Sequence, residues 1–516
     1  MESVKVVGYR IIIVLLVIFS FVNFWNVKAS NSDYLPDDVM EIWEGGPAYY
    51  DKWTNGPSSD LNFFPIAVWY QNPNSGYFYQ KMGVNFINYW GSVANAKESD
   101  LGTLKKYGMS GVTAYTTVYA NSTNCSIIKA WMHEKDEPDN AVSGTQNPVS
   151  PSTIINDYNA MKAIDPTRPV FISLGKGAAI NSWYGRGNRT NHPEDYIEYA
   201  KGADIMTFDV YPMNTPAWTS DYASWKYTHL TELSGNIWYV AKGVDNLRKA
   251  ADYKKPVWAW IECTNFNADP NCKLTPAITR SEVWMALIHG ARGVGYFCHI
   301  FSPTLVQAGV LNDAAMKAEI TAINAQITAN APVLNTQSVS NGATVLSSNT
   351  AIPVDFMVKR FNGFTYIYAI SMRSGSTDAT FTLRDFVGTS NIEVVGENRQ
   401  LAATNGVFND NFSDYSMHIY KVATPINNPI RSVEKNQHNL QIVVDNSQDI
   451  LSFKCDEYID RADVYSLSGQ KITSCDVNDY KGDISLGNIS QKMLILKFFI
   501  QEDILLCKFI MSNNSL

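Results

Sequence analysis

Between residues 60 and 305 eight short apolar runs alternate with helical patterns, and that alternation constrains the fold of this chain more than any other feature. The runs are FFPIAVWY (63–70), VNFINYW (84–90), GVTAYTTVY (111–119), IIKAWMH (127–133), PVFISLG (169–175), ADIMTFDVYP (203–212), PVWAWIEC (256–263) and GVGYFCHI (293–300). Near-continuous apolar runs spaced by helices are the grammar of a parallel sheet with crossover connections. Eight of them predict an α/β fold, a (β/α)8 barrel over residues 30–335. Two intervening helices have their own signals. Ser152 to Ile164 carries apolar residues at helical spacing, and Thr279-x-x-Glu282 reads as a capping box before VWMALIHGA. Only about eight residues separate the third run from the fourth, too few for a full helical crossover, so either that helix is degenerate or one strand is misassigned.

Beyond Leu311 an Ala-rich helix is expected from Asp313 to Ala329, stopped at Pro332. Alternating segments with Gly, Asn and Ser turns then predict a small β-sandwich over 336–424. After the linker TPINNPI, residues 431–516 again read as short strands. All thirteen tryptophans precede residue 285, so neither C-terminal unit has the makings of an aromatic binding platform.

At the N-terminus Lys5 and Arg10 precede an apolar run from Ile11 to Val22, and Val27-Lys28-Ala29 has the small-residue spacing of a cleavage site. This predicts a signal peptide over 1–29, export to the surface or the medium, and no membrane span after cleavage, since a spanning helix needs about 20 apolar residues. The net charge of -8 is spread without a long single-sign run, which disfavours a nucleic-acid partner. Seven cysteines show no metal pattern, an odd set implies at least one free thiol, and Cys263 with Cys272 could close a short loop. The scattered histidines give no zinc signature, so neither metal nor cofactor is expected.

In such a barrel the reactive groups project from the C-terminal ends of the strands. Run four leads into WMHEKDEPDN (131–140) and run seven ends at Glu262. If the fourth strand stays extended, Trp131, His133, Lys135 and Glu137 share a face, as do Trp258, Trp260 and Glu262 in the seventh. Glycosidic hydrolysis needs one carboxylic acid to protonate the leaving oxygen and a second carboxylate to attack or to activate water. Glu137 and Glu262 supply such a pair. Each also has a structural reading, Glu137-Pro138 as a helical start and Glu262 as a strand-end ion pair.

The D-E-P after strand four and the W-I-E of strand seven resemble the large clan (clan A) of retaining glycoside hydrolases that includes cellulases and β-galactosidases, over about 270 residues. That resemblance implies a carbohydrate substrate, with Glu137 as acid/base and Glu262 as nucleophile. It also implies a site tyrosine after strand six, where Tyr211 stands. The clan usually has asparagine before the acid/base, whereas this chain has Asp136. An ionised Asp136 accepts a hydrogen bond from a sugar hydroxyl but donates none, and as a like charge it would raise the pKa of Glu137 while Lys135 opposes that. His133, Asp209 and His299 are further substrate-contact candidates. Trp69, Trp90, Trp183 and Trp260 are candidates for stacking on sugar faces, Trp260 and Trp183 first. The expected activity is retaining hydrolysis of a β-glycoside, with a β-glucan as the first candidate substrate and a β-galactosidase-like exo-enzyme or a non-catalytic glycan-binding barrel as alternatives. The C-terminal ADVYSLSGQKI, ISLGNIS and CKFIMSN resemble a Bacteroidetes type IX secretion sorting domain, which implies contact with secretion machinery. The usual Gly-x-Tyr is replaced there by Gln491-Lys492-Met493.

Overall fold

The computed structural model describes residues 34–510 except 36–37, 43–44, 89–94, 143–144, 216–232, 426–440, 446–449, 467–470, 487–492 and 501–502. The expected signal peptide, most of the 424–430 linker, Trp90 and Gln491-Lys492 therefore lie outside the described residues.

Each of the eight apolar runs contributes one strand: β1 (Ile66–Trp69), β2 (Phe86–Asn88), β3 (Ser110–Ala114), β4 (Ile128–Met132), β5 (Val170–Leu174), β6 (Ile205–Asp209), β7 (Val257–Glu262) and β8 (Gly293–Phe297). All neighbours pair in parallel, and β1 closes on β8 with Ile66 opposite Val294. The expected (β/α)8 barrel is the observed one. Val257, Ala259 and Ile261 pack outward into the main core, and Trp258 and Trp260 fill the interior with Trp69, Phe86, Met132 and Phe171. Room for two indoles comes from β8. A Cβ on Gly295 would stand 1.9 Å from Cζ3 of Trp260, and one on Gly293 would stand 2.5 Å from the Trp258 ring. The interior is a packed floor beneath the strand ends.

The short β3–β4 connection holds only Thr117–Ala120 and the 3-10 turn Cys125–Ile127, so its crossover helix is degenerate and both strands are real. The predicted helix at Ser152 starts at Pro151, capped by Ser150, whose hydroxyl accepts from Thr153 N–H. Two other boundaries differ from the sequence reading. The helix expected from Thr279 runs Pro276–Ile288, because Thr275 caps it and Pro276 occupies the first position. That frees Thr279 to donate to the Glu262 carbonyl (3.1 Å) and turns Glu282 inward. The Ala-rich helix runs Ala314–Leu334 through Pro332. Pro332 cannot donate to the carbonyl four residues before it, and the helix continues regardless, burying Val333 and Leu334. No helix among the described residues is long and apolar enough to cross a membrane. Those residues also hold no group of three or more His, Cys, Asp or Glu that could bind a metal ion. Cys263 lies against Cys298 (Sγ–Sγ 3.7 Å) and pairs with neither it nor Cys272.

Residues 343–423 form an eight-stranded antiparallel sheet around a core of its own, from β9 (Ala343–Ser347) to β16 (Met417–Ala423). A second antiparallel sheet of five strands spans β17 (Gln441–Asp445) to β21 (Asp503–Ile510). The first sheet meets the barrel at His289, at the end of the Pro276–Ile288 helix. Its Nδ1 lies 2.9 Å from Asp245, on the helix Tyr239–Ala250, and its Nε2 lies 3.2 Å from Asp355, on β10 (Val354–Phe361). Burial works to lower the imidazole pKa, but the two carboxylates outweigh it and raise the value to about 9. A folded-state pKa above the unfolded value near 6.5 stabilises the protein fully below that pH, and the benefit is lost as pH rises through about 9. The carboxylates are about half exposed, so the effect is modest. The wild type is expected to lose on the order of 1 to 3 °C more in Tm than His289→Gln between pH 6.5 and 9.5.

Candidate active site

Strand β4 ends at Met132, five residues short of Glu137. The chain then follows the end of β5: His133 N–H donates to the Phe171 carbonyl (3.1 Å) and Glu137 N–H to the Ser173 carbonyl (3.1 Å). Glu137 adopts φ +46°, a left-handed conformation unusual for a residue with a side chain. The shared strand face expected for Trp131, His133, Lys135 and Glu137 is therefore absent. Trp131 packs outward in the main core, Lys135 is exposed, and His133 is buried with Nε2 2.7 Å from the Gly202 carbonyl. What presents Glu137 is a turn, fixed from below. Asp139, fully enclosed, accepts from Gly175 N–H (2.8 Å) and the Tyr196 hydroxyl (2.7 Å). A side chain at Gly175 would press on this turn, its Cβ lying 2.9 Å from Asn140 Nδ2 and 3.2 Å from Glu137 Oε1, so that both would have to shift.

Glu137 is half-buried, and its Oε2 accepts from Asn140 Nδ2 (2.7 Å), while Asn140 Oδ1 accepts from the Trp183 indole (2.8 Å). Across the barrel mouth Asp209, the last residue of β6, hydrogen-bonds to the Glu137 carboxyl. Burial first, and the charge of Glu137 second, hold Asp209 well above the usual carboxylate range, with Lys176 opposing. Two carboxyl groups in contact share a proton. Burial, followed by the neighbouring Glu137, raises Asp136 to about 7, with the Ser173 side chain opposing the rise. With its carboxyl near half-protonated at neutral pH, Asp136 both donates and accepts.

Glu262 stands at the end of β7 with no exposed surface. Its Oε1 accepts from Met213 N–H (2.6 Å), and its Oε2 accepts from Asn214 N–H (2.8 Å) and Asn214 Nδ2 (2.7 Å). Burial raises its pKa and these donors oppose the rise. Glu282, fully buried and with neither carboxyl oxygen hydrogen-bonded among the described residues, is held well above the usual range, by burial first and Glu262 second. Asn214 also donates to the Thr264 carbonyl (2.9 Å) and accepts from Phe266 N–H (2.8 Å), tying the loop after β6 to the loop after β7.

Tyr211 feels the charge of both carboxyl groups. Its ring packs on Phe266 (5.1 Å) and Phe297 (5.2 Å), and burial, then the charges of Asp209, Glu137, Asp136 and Glu262, raise its phenol. The Lys176 ammonium stands 5.5 Å from the Tyr211 ring and 5.3 Å from that of Trp183. Trp183, half-buried, is the one favoured tryptophan with surface to offer. Trp260, 2% exposed, donates to Thr207 Oγ1 (3.2 Å) and meets Trp69 edge-on at 4.9 Å. His299, after β8, is buried beside Phe297, and burial lowers its pKa to about 4 against a hydrogen bond to the Tyr70 backbone. The structure therefore brings Glu137, Asp136, Asp209, Tyr211 and Trp183 together and sets His133 apart. Ser173, Lys176, Asn140 and Asn214 were missed by the sequence reading. Ser173 is the last residue but one of β5, near the strand end where the rule that found Glu262 looks, whereas Lys176, Asn140 and Asn214 lie in the connections beyond the strands without local signal.

Two cavities are separate from this cluster. One of about 500 Å³ is lined by Tyr50, Trp53, Phe86 and Lys129 among others, and one of about 560 Å³ by Thr264, Ile300, Pro303 and Asp313 among others.

No protein-family model and no curated protein matches the sequence. Solved structures do align. A glycoside hydrolase family 30 endoxylanase from Clostridium papyrosolvens is 11% identical over 75% of this chain and 98% of its own, with a TM-score of 0.40. An α-amylase from Anoxybacillus is 10% identical over 71% and 99%, with a TM-score of 0.38. A putative α-galactosidase from Bacteroides fragilis is 9% identical over 70% and 79%, with a TM-score of 0.39. Likeness at this level carries no activity across, and the barrel assignment rests on the strand pairing itself.

Proposed function

We propose that the chain is a glycoside hydrolase acting on a β-linked carbohydrate, with Glu137 as acid/base and Glu262 as nucleophile. The observation that carries this reading is the gathering of Glu137, Asp136, Asp209 and Glu262 around Tyr211 at the C-terminal ends of β4 to β7. In the first step Glu137 gives its proton to the leaving oxygen as the C–O bond breaks and Glu262 bonds to the anomeric carbon. In the second, Glu137 takes a proton from the water that releases the sugar. Asp209 touches Glu137 directly, which is closer than the about 5 Å that a sugar ring between acid and nucleophile requires, so Asp209 serves Glu137 and is not the attacking group. Export through the N-terminal segment and a sorting role for residues 431–516 belong to the same proposal, as expectations from the sequence.

A second reading, glycan binding without turnover, has one observation in its favour. Glu262 is fully enclosed and its carboxylate accepts three hydrogen bonds from Met213 and Asn214. A panel of β-glucans and β-galactans separates the two. Hydrolysis by the wild type that falls by about 10²-fold or more in Glu262→Gln supports the nucleophile assignment. Unchanged hydrolysis in that variant removes it, and binding without sugar release by the wild type establishes the second reading.

A further inference from the structure

Asn88 is the last residue of β2 and has no exposed surface. Neither its Oδ1 nor its Nδ2 has a hydrogen-bond partner among the described residues. Burying a carboxamide with both groups unpaired is destabilising, so an apolar residue of similar size would suit the apo barrel better. The position of Asn88 says what it faces. It lies opposite Trp69 in the β1–β2 register, and Phe86, two residues earlier, belongs to the barrel interior, so the Asn88 side chain points into the same interior at its C-terminal layer. Asp209 lies opposite Trp260 in the β6–β7 register, and Trp260 crosses over Gly295 to meet Trp69. Asn88 and Asp209 thus flank one aromatic floor, each with an unpaired buried oxygen, the latter through Oδ1.

We propose that Asn88 reads a ring hydroxyl of a neutral sugar, accepting through Oδ1 and donating through Nδ2 above the Trp69–Trp260 floor. This rests on the carbohydrate reading above. A carboxamide presents one acceptor and two donors without charge, which matches a hydroxyl or a vicinal diol and offers no counter-charge to an anionic ligand.

The test uses the full chain with Glu137→Gln to suppress turnover, titrated calorimetrically with the β-glucan and β-galactan oligosaccharides of the panel, with and without Asn88→Leu. The inference expects affinity to fall by about tenfold or more in Asn88→Leu while the ligand-free Tm holds or rises. That opposition of signs distinguishes a ligand-reading residue from a structural one. In addition, the parent discriminates against one monodeoxy analogue and Asn88→Leu does not. Equal affinity in the two chains, or a ligand-free Tm lowered by Asn88→Leu, overturns the inference and leaves the carbohydrate reading standing. Failure of the parent chain to bind any member of the panel overturns both.

Discussion

Glu137→Gln is expected to lower glycoside hydrolysis by about 10² to 10⁴-fold while the protein keeps its fold. Glutamine still accepts from Asn140 through its side-chain oxygen, and its amide donates to Asp209 where a carboxyl group now competes with another. The substitution thus removes the charge that helps to hold Asp209 protonated. Its Tm is expected to equal or exceed that of the wild type at pH 7, so lost activity cannot be ascribed to unfolding. The pH dependence of stability gives an independent check. Asp209 is held above its unfolded pKa, so its neutral form dominates in the fold. Stability from that source is present at acid pH and declines as pH rises through the raised value. Removing the Glu137 charge lowers the Asp209 pKa and should shift that decline to lower pH or flatten it. A Glu137→Gln chain with wild-type turnover would end the acid/base assignment.

The second large effect concerns the fold. Asp38, with 1% of its side chain exposed, accepts from Arg360 Nε (2.7 Å) and Nη2 (3.0 Å) and also pairs with Arg384. Arg360 lies on β10 and is itself fully buried. The pair fastens the segment that precedes the barrel to the sheet that follows it. Asp38→Ala leaves the Arg360 guanidinium buried without its counter-charge, and breaking a buried pair from one side costs about 3 to 5 kcal/mol. Chemical denaturation should show a loss of that size, and Asp38→Leu combined with Arg360→Met should recover most of it, because a buried pair replaced from both sides is often neutral. A single-variant loss below about 1 kcal/mol would mean that the pair is screened as a surface bridge is.

Most of the barrel was legible because its signal is local. Each apolar run became a strand, and the weak β3–β4 link was readable from its length alone. Helix ends were less legible. Thr275 and Pro276 outcompeted Thr279 as the start of their helix, and Pro332 did not stop its own, which runs on to bury Val333 and Leu334. The site divides in the same way. Strand-end residues such as Glu262 and Asp209 follow from run boundaries, but the period-of-two argument misplaced His133, since β4 ends before it. The contact between Glu137 and Asp209 joins residues more than seventy positions apart. The Glu262–Glu282 contact depends on a helix whose register the sequence reading set too late. Neither pairing is written in local sequence, and both decide which carboxyl groups carry protons.

The most direct measurement is the anomeric configuration of the sugar first released, followed by proton NMR while the wild-type chain acts on a β-glycoside. Double displacement at Glu262 with Glu137 as acid/base predicts the β-anomer first, with the α-anomer appearing only by mutarotation. The α-anomer appearing first would contradict the account.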